Sequence, residues 1–128
     1  MSFSIHKNDR AGSPVNEVMP AAAGTYAIGQ ALAFNGGVLK AASGTTKPTH
    51  IAAESKTLGS AGTLYVHKIE PTIVYKSEMS VAGAKTVGAS YTLSTDGMGI
   101  TNTTTDGVAT VVEADGATVN DAVYIRFA

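Results

Sequence analysis

The turns constrain this chain more than anything else in it. Asn35-Gly36-Gly37 and three Asp-Gly pairs, at 96–97, 106–107 and 115–116, punctuate the sequence. Asn, Asp and Gly accept positive φ cheaply, so each pair closes a tight reversal. Between these signals the apolar residues alternate with period two, and no window sustains the 3.6-residue period of a helix. Short strands spaced by roughly 8–12 residues with glycine-rich turns describe an all-β sandwich or barrel.

The expected strands are short. Tyr26, Ile28, Leu32 and Phe34 fall at even spacing, with Gly29 as a bend, and Val38–Ala42 is the return strand of a hairpin. Further strands are expected over 49–54, 63–69, 72–76, 87–93, 99–103, 108–114 and 119–127. At most one short helical turn fits, over 78–84, and Gly83 weakens it. In 63–69, Leu64 and Val66 face one way while Tyr65, His67 and Ile69 face the other. Apolar groups on both faces mark that strand for burial on both sides, or for a subunit contact through Tyr65, His67 and Ile69. One internal echo stands out: Ile28–Phe34, Val87–Leu93 and Val119–Ile125 each read as a turn feeding an apolar–x–apolar strand.

Residues 1–23 read differently from 24–128. Asn8, Asp9, Gly12, Ser13, Pro14, Asn16 and Pro20 break them up, and their apolar residues stand singly. They are expected to form an extended N-terminal arm, or a first edge strand, ahead of a β-domain over 24–128. Phe3, Ile5, Val15 and Val18 are the arm's candidate contact residues.

Composition narrows the chemistry. The chain has 128 residues, no cysteine and a formal charge of −1, with only 15% of residues charged. Thiolate metal sites and cysteine nucleophiles are thereby excluded, and there is no basic footprint for nucleic acid. No unbroken apolar run reaches the length of a signal-peptide core or a membrane span. His6, His50 and His67 lack metal-ligand spacing, the aspartates before glycine suit turns rather than a calcium loop, and no Gly-x-Ser-x-Gly elbow occurs. No catalytic, cofactor or metal site is expected.

Several segments together carry a family resemblance: Gly24–Leu32, Asn35–Ala41, Gly44–Ala52 and Asn120–Ile125. In style the chain resembles phage head decoration (capsid cement) proteins of the lambda-like β-tulip type. The resemblance implies a non-enzymatic virion protein that binds the outer surface of a phage capsid and stabilises the head. It would be made in the host cytoplasm. It further implies the major capsid protein as partner, a homo-oligomer with a trimer favoured over a monomer, and an arm that adds a strand to the shell. The alternative is a carbohydrate- or receptor-binding β-module of a phage fibre or bacterial surface protein, for which exposed aromatics would be the sign.

Overall fold

The computed structural model describes residues 1–8 and 14–127. The architecture is all-β, and no helix occurs among the described residues. Twelve strands follow in chain order: β1 (Ser4–Asn8), β2 (Asn16–Ala21), β3 (Gly24–Tyr26), β4 (Ala31–Asn35), β5 (Val38–Ala41), β6 (His50–Ala52), β7 (Lys56–Leu58), β8 (Gly62–Lys68), β9 (Ile73–Glu78), β10 (Ser90–Tyr91), β11 (Ala109–Ala114) and β12 (Ala122–Phe127). Strands β2-β5-β4-β6-β8 close into a barrel. Strands β1-β9-β12-β11-β10 form an open sheet, and β3 and β7 make a two-stranded ribbon.

Period-two alternation builds two cores from one barrel wall. Ala21, Tyr26, Leu32, Leu39, Ala52, Leu64 and Val66 form one cluster, the barrel interior. Ala31, Ala33, Ala42 and Ile51 belong to the second cluster, with Ile73, Tyr75, Val111, Ile125 and Phe127 of the open sheet. Leu32 thus faces inward while its neighbours Ala31 and Ala33 face the sheet. Three alanines at that contact keep the wall thin, so that the large side chains of the sheet fill the space between the layers.

The internal echo has a local cause. Gln30, Ala89 and Asp121 each donate a backbone bond to the carbonyl three residues back, on Ala27, Thr86 and Thr118. The third residue of each turn has positive φ: Gly29 at 84°, Gly88 at 89° and Asn120 at 72°. These are type II turns, each feeding the strand that follows it. The residue before the positive-φ position is left out in solvent each time: Ile28, Val87 and Val119 are 59%, 64% and 50% exposed. The three strands do not share one barrel, however. β4 is a barrel strand, whereas β10 and β12 lie in the open sheet.

Four expectations are corrected. Among the described residues of 1–23, the edge-strand alternative holds and the free arm does not, because β1 is an edge strand of the open sheet and β2 closes the barrel; the expectation over 9–13 lies outside the described residues. The even spacing of Tyr26, Ile28, Leu32 and Phe34 does not make one face, because the turn at Gly29 splits the segment into β3 and β4. The segment 78–84 has no helical turn; Met79 instead bridges to Ile100. The strands expected over 87–93 and 99–103 shrink to β10 and the isolated bridges of Leu93 and Ile100.

Candidate docking surface

The N-terminal segment builds one wall of an apolar groove. Phe3 donates its backbone N–H to the Gly29 carbonyl at 2.8 Å, and Gly29 donates to Ala52 at 2.8 Å. This ladder lays residues 2–5 across the 28–29 turn and beside β6. The resulting groove, of about 400 Å³, is lined mainly by Phe3, Ile5, Ile28, Ile51, Ala53 and His67. Ile5 and Ile28 stand at its rim, 41% and 59% exposed. Phe3 and Ile51 are buried below them, at 2% and 1%.

A second exposed apolar pair adjoins it. Val18 of β2 lies directly opposite Tyr65 of β8 in the antiparallel register. Both are about half exposed, at 52% and 53%. Tyr65 is on the same outer face of β8 as His67, one two-residue step along. Ala53, on the groove, donates to the Tyr65 carbonyl at 2.9 Å. The groove and the Val18–Tyr65 pair therefore border one another on the outside of the barrel. Contiguous exposed apolar side chains are one mark of an interaction surface.

Among the residues lining the groove, His67 is the titratable one. It is 9% exposed. Its Nε2 lies 3.1 Å from the Tyr75 hydroxyl in a buried hydrogen bond. The two rings are stacked with centroids 6.0 Å apart. Burial lowers the imidazole pKa, and the neighbouring His50 lowers it further. Burial also holds the Tyr75 phenol well above its ordinary range, with Glu70 adding to the effect. The pair is therefore neutral at pH 7.

His50 closes the barrel mouth on the other side of the wall. Its Nδ1 meets the Thr49 hydroxyl at 2.8 Å. Its Nε2 is 3.7 Å from a Glu17 carboxylate oxygen. Phe34 sits edge-on at 5.5 Å. Burial lowers this imidazole as well, although the Glu17 carboxylate opposes the shift and Lys68 assists it. Among the described residues no three His, Cys, Asp or Glu side chains gather as a metal site would require.

The candidate contact residues separate in the structure. Phe3 is a core residue, edge-to-face with Phe127 at 5.0 Å, and has no free face to offer a partner. Ile5 and Val18 are exposed at the surface just described. Val15, at 83% exposure, precedes β2 and lines a shallow hollow with Glu17, Lys68 and Glu70. Of the three residues assigned to a subunit contact, only Tyr65 is exposed; His67 is committed to Tyr75, and Ile69 packs against the core. Ile28 belongs to the surface and was not among the candidates. Its signal was present: a bulky residue just before a turn glycine cannot follow the strand inward.

β1 is also poorly suited to leave the domain and pair elsewhere. Its ladder runs to β9, from Ser4↔Lys76 to Asn8↔Ile73, with a bulge between Ile5 and Lys7. A bulge and a lysine on an edge strand discourage further pairing.

No family model matches the chain, and no curated protein matches it. Among solved structures, the fold is similar to that of the head fiber gp8.5 N base in bacteriophage phi29. The TM-score is 0.61 at 16% sequence identity, over 89% of this chain and 95% of that one. That share is more of the chain than residues 24–128 hold, so the common fold reaches into the first 23 residues. At this identity the likeness is one of fold, and it extends over nearly the whole of both chains.

Proposed function

We propose that this chain is a non-enzymatic structural protein of a phage virion, docking on the outer surface of the head. The observation that carries the reading is the fold shared with a phage head-fibre base along almost the full length of both chains. The exposed apolar surface of Ile5, Ile28, Val18 and Tyr65 supplies a means of docking, and the partner is the major capsid protein. Docking of many copies, or of a homotrimer, would give firm attachment from modest single contacts. Docked copies would brace the head by bridging neighbouring shell subunits.

A second reading keeps the docking and changes the purpose: the domain is the base of a fibre and carries a further module outward. The neighbour's own description as a fibre base favours it. A glycan-binding role has less support. Phe34 and Tyr65 are the exposed large aromatics among the described residues, and Phe34 is engaged with His50.

Co-sedimentation with empty phage heads tests the proposal. The wild-type chain should pellet with heads, and Val18→Asp with Tyr65→Asp should not, at unchanged folding by circular dichroism. Failure of the wild-type chain to pellet would defeat it. Heads carrying the chain should also withstand heating better than bare heads under the bracing reading, and equally under the fibre-base reading.

A further inference from the structure

The docking surface contains a buried titratable group that its purpose does not explain. His67 lies among the apolar lining of the groove beside Phe3, Ile5 and Ile51. A partner seated there removes the imidazole's last access to water. A neutral ring bears this more cheaply, because its Nε2 is already held by the Tyr75 hydroxyl and no net charge is buried. An imidazolium does not, because a buried charge without a counter-ion is costly.

Among the described residues no counter-ion is paired with the ring. From β9 the facing titratable group is Tyr75, with Glu70 acting on it from beyond. From β6 it is His50, itself next to Glu17 and Lys68. On β2 the opposite residue is Asn16. The N-terminal wall supplies only Ser2, Phe3, Ser4 and Ile5. The nearby Glu54 carboxylate accepts the Tyr65 backbone N–H at 2.7 Å.

We propose that His67 makes this surface acid-sensitive: an apolar protein partner seats over the neutral imidazole and is released as the ring takes up a proton. The inference rests on the docking reading above and adds its regulation. Linkage fixes its form. If only the neutral chain docks, apparent affinity falls by about tenfold per pH unit once the pH is below the midpoint of the free chain. One proton is taken up per partner released.

Two measurements test it, and only one needs a partner. In the free chain, a proton NMR titration should give His67 a midpoint below about 6.5, the ordinary imidazole value. The Ile5 and Ile28 methyl signals should move with that midpoint. Methyls that stay still while His67 titrates would overturn the inference, whatever the heads do. With heads, the ratio of docking at pH 7.5 to docking one pH unit below the midpoint found by NMR should be large for the wild-type chain and for His50→Gln, each at its own midpoint, and should approach one for His67→Gln over the same interval. Firm docking with no such ratio would overturn the gating and leave the docking standing. Absence of docking at pH 7.5 would overturn the docking itself, and the NMR titration would still decide whether the groove answers to the proton.

Discussion

At the scale of single residues, the Asp-Gly pairs at 96–97 and 106–107 lie in turns, whereas 115–116 only opens a loop whose hydrogen-bonded turn is Thr118–Asp121, and the 96–97 turn does more than reverse the chain. The Asp96 carboxylate accepts from the Ser94 hydroxyl at 2.7 Å and from the Met98 N–H at 3.0 Å. The same turn reaches the barrel: Gln30 donates to the Asp96 carbonyl at 2.8 Å, and Ala31 donates to the Gly97 carbonyl at 2.9 Å. Gly97 has φ of +70°, and a Cβ there would lie 2.6 Å from the Ala42 carbonyl oxygen. Gly97→Ala should therefore cost about 2–4 kcal/mol, from backbone strain and collision together. Gly36→Ala is the control, with φ of +65° and open space around it. It should cost only about 1 kcal/mol. Urea midpoints compare the two, and equal losses would show that the close approach is irrelevant. Lys85 does comparable work in another loop. Its ammonium donates to the Val81 and Gly83 carbonyls at 3.3 and 2.8 Å and to Asn102 Oδ1. It also lies 5.6 Å from the Tyr91 ring centre. Lys85→Met keeps the stem and removes the donors, and should lower stability by about 1–3 kcal/mol.

Among the elements, β1 is the edge strand that the sequence offered as the alternative to an arm, and Phe3 just ahead of it shows why the arm reading fails. Phe3 alternates only with Met1 and Ile5 before the polar residues that follow, too short an apolar run to place it in a core. In the structure it meets Phe127, from the far end of the chain, and lies over Gly29. Contacts so distant in sequence leave no periodic trace. Phe3→Ala should cost about 3–5 kcal/mol, as removal of a fully buried ring does, whereas an arm residue would cost almost nothing. Thermal melting of the isolated chain distinguishes the two. What could be read was local: the all-β class, the Asn35-Gly36-Gly37 hairpin, and the alternation that sends Leu64 and Val66 inward and Tyr65 and His67 outward. What could not be read was pairing across the chain. β2 joins β8 along six residues and β5 at Ala21↔Leu39, and only that closure makes Val18 and Tyr65 neighbours. The candidate surface was thus half visible, because Ile5, Val18 and Tyr65 were candidates for two separate roles and the fold places them on one face.

For the molecule as a whole, the barrel and the open sheet are held face to face by one shared core, and a buried imidazole is set on each side of the barrel wall. His50 and His67 both have folded-state pKa values lowered by burial. The unfolded chain then binds more protons than the folded one in the window below about 6.5, the ordinary value. Stability must rise with pH across that window, and it must fall as the pH drops from about 6.5 through the folded-state midpoints. The Asp121 carboxyl is held below the usual range by its Thr118 hydrogen bonds, so its contribution is lost only at much lower pH. At the alkaline end, the phenols of Tyr26 and Tyr75 are raised by burial, which lowers stability as the unfolded phenols ionise above about pH 10, while the Lys85 ammonium, lowered by burial, acts in the opposite sense. The urea midpoint should accordingly be level from about pH 7 to 9 and decline on the acid side before any carboxylate titrates. His50→Gln with His67→Gln should move the onset of that decline to lower pH. If the double variant declines with the wild-type profile, the acid sensitivity lies elsewhere than in the two buried rings.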